Sequence, residues 1–474
     1  MDERYIAAVD MGTAKIALTV ARISGEDVQI LYYRERPSAG IRNSAVFNPK
    51  KAAEPVKAAI DEAESELNIK IMQVVVGLPR CDIRQEIAKA KVDRTNPDES
   101  ITKEEVESLK MMAQNDYPIE DPEKEELYGA VAQSFSDDEE FQLIENDIIG
   151  VISQVFEGNF KLFIGKKSSI KTIDKIFNDL DIAIASRYFT PNSQAKAVLT
   201  EDEMSSGVAL IDLGAGATSV TIYQGKILRY YASIPFGGNN ITRDISNECH
   251  ISEKLAENIK LAFGACMPEK LQTLGEKIIQ IEGDDMDGLK QIPVHFLSDL
   301  ITCRVREIVE ATLYEIQESG LADSLRSGVV ITGGGAKLTN IANYIKEISG
   351  YNVRTGVPRN KFSAEGCNGV HEPSASTSIG MILSAKEDGL INCITAPEKS
   401  KSDSRIEIEK PVEVIVEDER EETPVDIFGE PIQEKEKKAS EPKPKSRPST
   451  LIVTWQKLMG KIDNLSKDID EEEI

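Results

Sequence analysis

The chain has 474 residues, of which 40% are hydrophobic and 29% charged, and its formal net charge is −25. That length accommodates two or more domains with their own cores, and the composition is typical of a globular protein. The acidic balance disfavours nonspecific nucleic-acid binding, which needs a basic surface, so we expect no nucleic-acid partner. The six cysteines form no C-x-x-C pair, which leaves zinc and redox motifs without support.

The first predicted element is a strand, a turn of small residues and a second strand, over residues 5–10 and 15–23. Glycine lets the backbone approach a polyphosphate closely, and successive N–H groups then converge on anionic oxygens. An aspartate at the end of the first strand can hold Mg²⁺, mainly through water. The pattern therefore predicts a phosphate-binding turn formed by Asp10, Gly12, Thr13, Ala14 and Lys15.

A strand at 29–34, a helix at 50–67 and a buried strand at 73–78 follow, which gives a β-β-β-α-β order typical of alternating α/β folds. The sequence pattern then changes over residues 84–165. A helix start with a capping-box pattern is followed there by segments in which apolar and polar residues alternate. Because this stretch has its own periodicity, we predict a small inserted α+β module. The core resumes with a helix, a strand and a helix between residues 171 and 198.

The same strand–turn–strand pattern returns two hundred residues later, beginning with a strand at 208–212. A single such turn is weak support, since many buried hairpins have this pattern. Two copies predict two phosphate turns facing each other across a cleft, with Asp10 and Asp212 as the Mg²⁺-holding pair. The second turn consists of Asp212, Gly214, Ala215, Gly216 and Ala217.

A third glycine-rich turn follows the apolar strand 329–332 and is formed by Gly333, Gly334 and Gly335, before a predicted helix. It has neither the Walker A spacing nor the G-x-G-x-x-G fingerprint. In order and spacing, the three turns resemble the two phosphate motifs and the adenosine motif of actin-like ATPases. The resemblance implies an α/β fold of the actin, Hsp70 and sugar-kinase superfamily, with a two-lobed ATPase core.

The last eighty residues have a different composition. Residues 395–450 are rich in Glu, Lys, Ser and Pro, and we predict a disordered linker. Residues 451–467 have the spacing of an amphipathic helix, and 468–474 form an acidic end. We predict that the helix binds a membrane through Leu451, Ile452, Trp455, Leu458, Met459 and Ile462.

Within this superfamily the chain resembles the FtsA family, whose members anchor filaments of FtsZ to the bacterial inner membrane. The resemblance is carried by the three turns, by the module at 84–165, by the segments 236–245 and 256–260, and by the terminal linker and helix. It implies a first lobe made of residues 1–83 and 166–198. The second lobe would span 199–394, with 370–394 returning to the first.

The family also implies roles for single residues. Gly238 would approach the phosphates, Glu257 and Lys260 would reach the ribose or base, and the triple glycine would form the floor under adenosine. ATP and Mg²⁺ are the implied cofactors. We expect ATP binding with at most weak ATPase activity, because no residue that activates the attacking water can be named.

The implied partners are a second copy of the chain, the C-terminal peptide of FtsZ, inner-membrane lipids and other divisome proteins. The peptide would dock on residues 241–325, with Arg304 and Arg306 as candidate contacts for its acidic groups. The implied location is the cytoplasmic face of the inner membrane at the division septum. Two alternatives stay open: an actin-fold adaptor similar to PilM, and a phosphotransferase of the sugar-kinase type.

Overall fold

A computed structural model of the chain describes residues 3–139, 142–281, 290–359 and 361–395. The predicted linker beyond residue 395, the predicted membrane-binding helix at 451–467 and the acidic end at 468–474 lie outside the described residues. Within the described ranges, no helix combines the length and the apolar character needed to cross a bilayer.

The strands, in chain order, are β1 (Arg4–Met11), β2 (Lys15–Ser24), β3 (Asp27–Pro37), β4 (Ile41–Arg42), β5 (Ala45–Val46), β6 (Lys70–Ile71), β7 (Gln73–Gly77), β8 (Arg84–Asp93), β9 (Glu125–Ser136), β10 (Val155–Lys166), β11 (Ala183–Tyr188), β12 (Val208–Leu213), β13 (Thr218–Gln224), β14 (Ile227–Ile234), β15 (Ile278–Ile281), β16 (Lys290–Pro293), β17 (Val329–Thr332), β18 (Val353–Thr355) and β19 (Ile394–Thr395).

The α-helices are α1 (Pro49–Leu67), α2 (Lys103–Asp116), α3 (Glu145–Ile148), α4 (Lys167–Asp179), α5 (Thr190–Val198), α6 (Glu201–Ser206), α7 (Gly238–Cys249), α8 (Glu253–Phe263), α9 (Val294–Glu318), α10 (Ile341–Ser349) and α11 (Ser376–Glu387). Short 3₁₀ turns cover Pro268–Lys270, Gln272–Leu274, Ala322–Ser324, Gly334–Lys337 and Pro373–Ala375.

Two five-stranded sheets share one topology. The first has the order β11-β7-β1-β2-β3, in which β1, β2 and β3 form an antiparallel meander and β7 and β11 add in parallel. The second has the order β14-β13-β12-β17-β18, again a meander followed by two parallel strands. In the first strand of each meander, Asp10 pairs with Ala17 and Asp212 with Ser219, which places each aspartate next to its turn.

The inserted segment forms its own small sheet in the order β8-β10-β9, with α2 and α3. Its apolar side chains make a core separate from those of the two large sheets; Phe135 and Phe160 meet edge to face there, 5.8 Å between ring centroids. The start of α2 has the capping box seen in the sequence. Thr102 Oγ1 accepts from Glu105 N at 3.2 Å, and Glu105 Oε2 accepts from Thr102 N at 2.9 Å.

The last described helix, α11, packs against α5 and the first sheet. Small residues make this close packing possible: a Cβ on Gly380 would overlap the carbonyl of Ser193 on α5. Buried hydroxyl groups are paired across the contact, with Ser193 Oγ and Ser384 Oγ 3.0 Å apart. The polypeptide therefore returns to the first sheet after completing the second.

Candidate functional site

The two aspartate-bearing hairpin turns have the same geometry. Asp10 and Asp212 each occupy the last residue but one of their strand. In both turns, the glycine two positions later donates its N–H to the carbonyl oxygen three residues further on, at 2.9 Å for Gly12 and 3.1 Å for Gly214. A Cβ on these glycines would lie 2.9 Å and 2.6 Å from the same carbonyl oxygens. The two turns therefore leave no room for a Cβ at these glycines, and the close approach of a polyphosphate to them stays a prediction.

The two turns also face each other, as the phosphate-clamp prediction requires. A Cβ on Gly216 in the second turn would lie 2.5 Å from Thr13 Oγ1 in the first. Thr13 Oγ1 is itself held, because it accepts a hydrogen bond from Ser44 N at 2.9 Å. The carbonyl of Ala14 accepts from Ser38 N at 3.0 Å. The first turn is thus fixed from both sides.

The triple glycine crosses the end of β12 beside the second aspartate. Asp212 pairs with Thr332, so the glycines follow directly from that point. Gly333 has φ +84°, and a Cβ there would overlap Asp212 Oδ1, whereas Gly334 has open space beside it. The helix predicted after the glycines is present as α10, which begins at Ile341 after a 3₁₀ turn at Gly334–Lys337. The residues between the glycines and α10 form the tight crossing over the end of β12.

Gly238 opens α7 and docks on the second turn. Its N–H donates to Gly214 O at 2.9 Å. Its carbonyl accepts from Lys260 Nζ at 3.0 Å, and Lys260 Nζ also donates to Thr242 Oγ1 at 2.8 Å and pairs with Glu257 Oε2 at 2.6 Å. Lys260 therefore positions the start of α7 from a buried location, while Glu257 stays partly exposed. Contact of either residue with a ribose or base stays a prediction.

Lys15, predicted to line the first phosphate turn, lies in an ion pair. Its ammonium group contacts Glu35 and donates to Ser374 O at 3.1 Å. Burial by itself would raise the pKa of Glu35, but the Lys15 charge and the hydrogen bonds from Lys15 and Tyr33 lower that pKa below its ordinary value. Lys15 would have to leave Glu35 to reach a phosphate.

An arginine that the sequence analysis did not single out completes the cleft. Arg80 Nη1 contacts Asp212 Oδ2, and Arg80 Nη2 lies 3.9 Å from Asp10 Oδ1. Asp212 is 4% exposed and Asp10 14%. Burial raises the pKa of Asp10, against the opposing effect of the Arg80 and Lys15 charges. The structure thus brings two buried carboxylates and one guanidinium together where the two turns meet.

The oxygen and nitrogen donors of the site can be compared with those of a metal centre. In the described ranges, no group of three or more His, Cys, Asp or Glu side chains is arranged to hold a metal ion. Among the described residues, Arg80 is the one donor group in contact with Asp212 Oδ2. Two carboxylates that face one cation are donors suited to a Mg²⁺ ion held mainly through water, and Mg²⁺ binding by Asp10 and Asp212 stays a prediction.

Comparisons with known proteins agree with this geometry. The family model described as cell division protein FtsA matches residues 209–380, which hold the second aspartate-bearing turn and the triple glycine. The cell division protein FtsA of Neisseria meningitidis serogroup B is 28% identical over 389 residues, covering 81% of this chain and 90% of the relative. That of Bacillus subtilis is 25% identical over 382 residues, covering 80% and 83%. The chain is an actin-like relative of FtsA.

Solved structures show the same fold. A PilM–PilN type IV pilus biogenesis complex matches with a TM-score of 0.57 at 14% identity, covering 80% of this chain and 98% of the matched chain. MreB5 of Spiroplasma citri bound to ADP matches with a TM-score of 0.50 at 14% identity, covering 81% and 98%. The fold prediction is therefore confirmed as actin-like. The PilM alternative is not favoured over FtsA, because this likeness is one of fold alone.

The two arginines predicted to meet FtsZ lie on α9 and have partners within the chain. Arg304 forms a fork with Asp244, with Nε 2.6 Å from Oδ2 and Nη2 3.0 Å from Oδ1, and it also contacts Glu307. Arg306 Nε donates to Tyr344 OH at 3.2 Å. In the structure, Arg304 is therefore paired with acidic side chains of the chain itself. An acidic peptide would have to compete with Asp244 and Glu307.

In this FtsA relative, Asp10→Asn is expected to raise the thermal stability at neutral pH. The folded-state pKa of Asp10 is raised, so the folded protein binds its proton more tightly and loses stability as the pH rises through that pKa. Removing the buried charge should raise Tm at pH 7 by about 2 °C, and the gain should shrink towards pH 4. Thermal unfolding monitored by circular dichroism checks this. Asp27→Asn, at an exposed site in the same sheet, is the control; an equal gain in both variants would contradict the explanation.

Proposed function

We propose that the chain is an ATP-binding, actin-like cell division protein that assembles on the membrane and connects it to FtsZ. The observation that carries the proposal is the convergence of Asp10, Asp212 and three glycine-dependent turns on one cleft. Similarity to FtsA over about four-fifths of the chain supports the division role. The ADP named with the MreB5 structure supports a nucleotide in a cleft of this fold.

In this proposal each part of the cleft has one task. The backbone N–H groups of the turns, Gly12 to Lys15 and Gly214 to Ala217, bind phosphate oxygens, and the open face of Gly334 accepts the adenosine. Bound Mg²⁺ supplies positive charge that screens the phosphates. Asp10 and Asp212 would orient its water ligands. No side chain is assigned to activate a water molecule, so we propose ATP binding with at most weak ATPase activity.

We further propose that the protein associates with itself through the core and the inserted module. Large apolar side chains are exposed on that module: Ile87 at 54%, Met111 at 59% and Ile152 at 65%. Exposed apolar groups of this size, at separate places on the module, are candidate contacts with another protein. A neighbouring copy of the chain is the partner that the family resemblance implies.

The membrane contact is proposed from the sequence alone, because residues 451–467 lie outside the described residues. One helix of this length with a short apolar face binds lipid weakly. Many such helices presented by one assembly bind strongly, because each further contact forms at a high effective concentration. ATP-dependent assembly, membrane recruitment and later recruitment of divisome proteins at the septum would thereby be linked.

A co-sedimentation assay with anionic vesicles, FtsZ and Mg²⁺·ATP in all combinations tests the whole proposal. We expect FtsZ to pellet with vesicles only when the chain is present, and more of the chain to pellet with ATP than without. FtsZ that stays in the supernatant under every condition would refute the tethering role. Binding of a fluorescent ATP analogue, measured separately, tests the nucleotide role by itself.

Arg304→Glu should weaken binding of the FtsZ C-terminal peptide on the order of tenfold, the effect of about 1.4 kcal/mol. The charge reversal puts a third carboxylate beside Asp244 and Glu307 and so repels the acidic peptide. Fluorescence anisotropy with a labelled peptide measures the affinity. Lys226→Glu is the matched control, since Lys226 pairs with Glu201 at 2.6 Å outside the proposed docking region. Unchanged affinity of the Arg304 variant would remove this residue from the interface.

A further inference from the structure

Arg80 reaches the cleft from the strand next to the first aspartate. Val76 in β7 pairs with Val9, and Arg80 follows three residues after the end of β7. Its guanidinium group lies between the two lobes, where it contacts Asp212, approaches Asp10 to 3.9 Å and donates to Thr377 Oγ1 at 2.6 Å. The Arg80 side chain is only 18% exposed. It is therefore an internal cation and not a surface charge.

The backbone on both sides of this arginine is fixed. Arg80 O accepts a hydrogen bond from Tyr231 OH, on β14 of the second lobe, at 2.6 Å. Two residues earlier, Leu78 N donates to Tyr188 O at 2.9 Å. The guanidinium group thus reaches the two carboxylates from a backbone segment that hydrogen bonds hold in place. The anchored backbone reduces the conformational entropy lost on binding to that of the side-chain rotamers.

The guanidinium takes the place in which the two carboxylates would hold a metal ion. Asp212 Oδ2 contacts Arg80 Nη1 and no other donor group among the described residues. A Mg²⁺ ion with its water shell would need the same space between Asp10 and Asp212. Two cations this close repel each other strongly at a site with little solvent.

We propose that Arg80 is a tethered competitor of the Mg²⁺·nucleotide complex: it neutralises Asp10 and Asp212 until the metal and phosphates displace it. This inference rests on the nucleotide binding proposed above and adds how that binding is regulated. The measured affinity is then the intrinsic affinity reduced by the fraction of molecules in which Arg80 has left the carboxylates. Removing the competitor raises that fraction.

The test uses the full chain and three variants. Arg80→Gln removes the cation, and Thr377→Val removes one anchor of the guanidinium while leaving both carboxylates intact. Arg84→Gln is the matched control, since Arg84 is an ion-paired arginine four residues later that binds Glu125 at 2.8 Å and does not contact the aspartates. A fluorescent ATP analogue is titrated in Mg²⁺, and thermal unfolding is followed with and without Mg²⁺·ATP.

We expect Arg80→Gln to tighten Mg²⁺·nucleotide binding on the order of tenfold, Thr377→Val to tighten it less, and Arg84→Gln to leave it unchanged. Arg80→Gln should lower Tm without ligand, because two buried carboxylates lose their counter-charge, and should show a larger rise in Tm on adding Mg²⁺·ATP than the parent. Weaker or unchanged nucleotide binding in Arg80→Gln overturns the proposal. So does an equal loss of Tm with and without ligand.

Two further outcomes are also decisive. If Arg80→Gln does not fold, Thr377→Val carries the test, and unchanged or weaker binding by it overturns the proposal. If the parent protein binds no Mg²⁺·ATP, the proposed function fails by itself. The role of Arg80 is then tested by the rise in Tm that Mg²⁺ alone causes. If Arg80 competes with Mg²⁺, this rise is larger in Arg80→Gln than in the parent. An equal rise in both proteins overturns the proposal.

Discussion

Asp212→Asn is expected to lower the affinity for Mg²⁺·ATP by on the order of a hundredfold, within the range found when groups that orient metal ligands are replaced. Asparagine keeps the size of the side chain, so the packing of Gly333 against it is preserved. It removes one of the two buried charges that fit the metal and its water shell. In EDTA the parent and the variant should bind the nucleotide about equally weakly.

Titration of a fluorescent ATP analogue, with Mg²⁺ and with EDTA, measures this difference. Asp244→Asn is the control, because Asp244 is also paired with an arginine, Arg304, at 2.6 Å, but lies on α7 away from the two turns. Equal Mg²⁺ dependence in the parent and in Asp212→Asn would show that the metal is held elsewhere.

Trp455→Glu is expected to release the protein from anionic vesicles. Burial of Trp455, Leu458 and neighbouring apolar groups contributes roughly 25 cal/mol per Å², a few kcal/mol in total. Lys457 and Lys461 add about 1 kcal/mol each near an anionic leaflet, and the acidic end at 468–474 offsets part of this gain. A carboxylate in the middle of the apolar face should reduce the bound fraction to background.

Vesicle flotation measures that fraction. Asn464→Glu adds the same charge on the opposite side of the predicted helix and should float like the parent. If both variants float, the segment does not anchor the protein in lipid, and a groove on another protein becomes the better hypothesis for it.

The parts of the site that are local in sequence could be predicted. An apolar strand, an aspartate and a glycine turn define each hairpin within about ten residues, and the structure has both hairpins with the same hydrogen bond across the turn. The triple glycine could also be located, since few other residues tolerate a φ of +84° as at Gly333.

The partners of the charged groups could not be predicted, because they depend on contacts between distant segments. Arg80 meets Asp212 from 132 residues away, after β7 has paired with β1 and the two lobes have come together. One signal in the sequence could have pointed to Arg80. Arg80 follows β7, the parallel neighbour of β1, just as the triple glycine follows β17, the parallel neighbour of β12. Lys15 pairs with Glu35 only because β2 and β3 are in register, with Lys15 opposite Pro37.

The contact between the inserted module and β14 has a consequence for how the protein can be dissected. β14 is the outer strand of the second sheet, and side chains of the module bind its backbone. Gln85 exchanges two hydrogen bonds with Tyr231, at 2.6 and 3.0 Å, Gln133 donates to Leu228 O at 2.9 Å, and Lys161 donates to Arg229 O. The module therefore shields an open sheet edge that would otherwise be a template for strand addition by another chain.

Deleting the module would uncover that edge as well as remove the proposed assembly surface. A truncated protein could then aggregate edge to edge, and pelleting would be mistaken for ordered filaments. Single substitutions at exposed positions of the module, such as Met111→Glu or Ile152→Asp, leave Gln85, Gln133 and Lys161 in place. Surface substitutions of this kind separate filament formation from aggregation, which removal of the whole module does not.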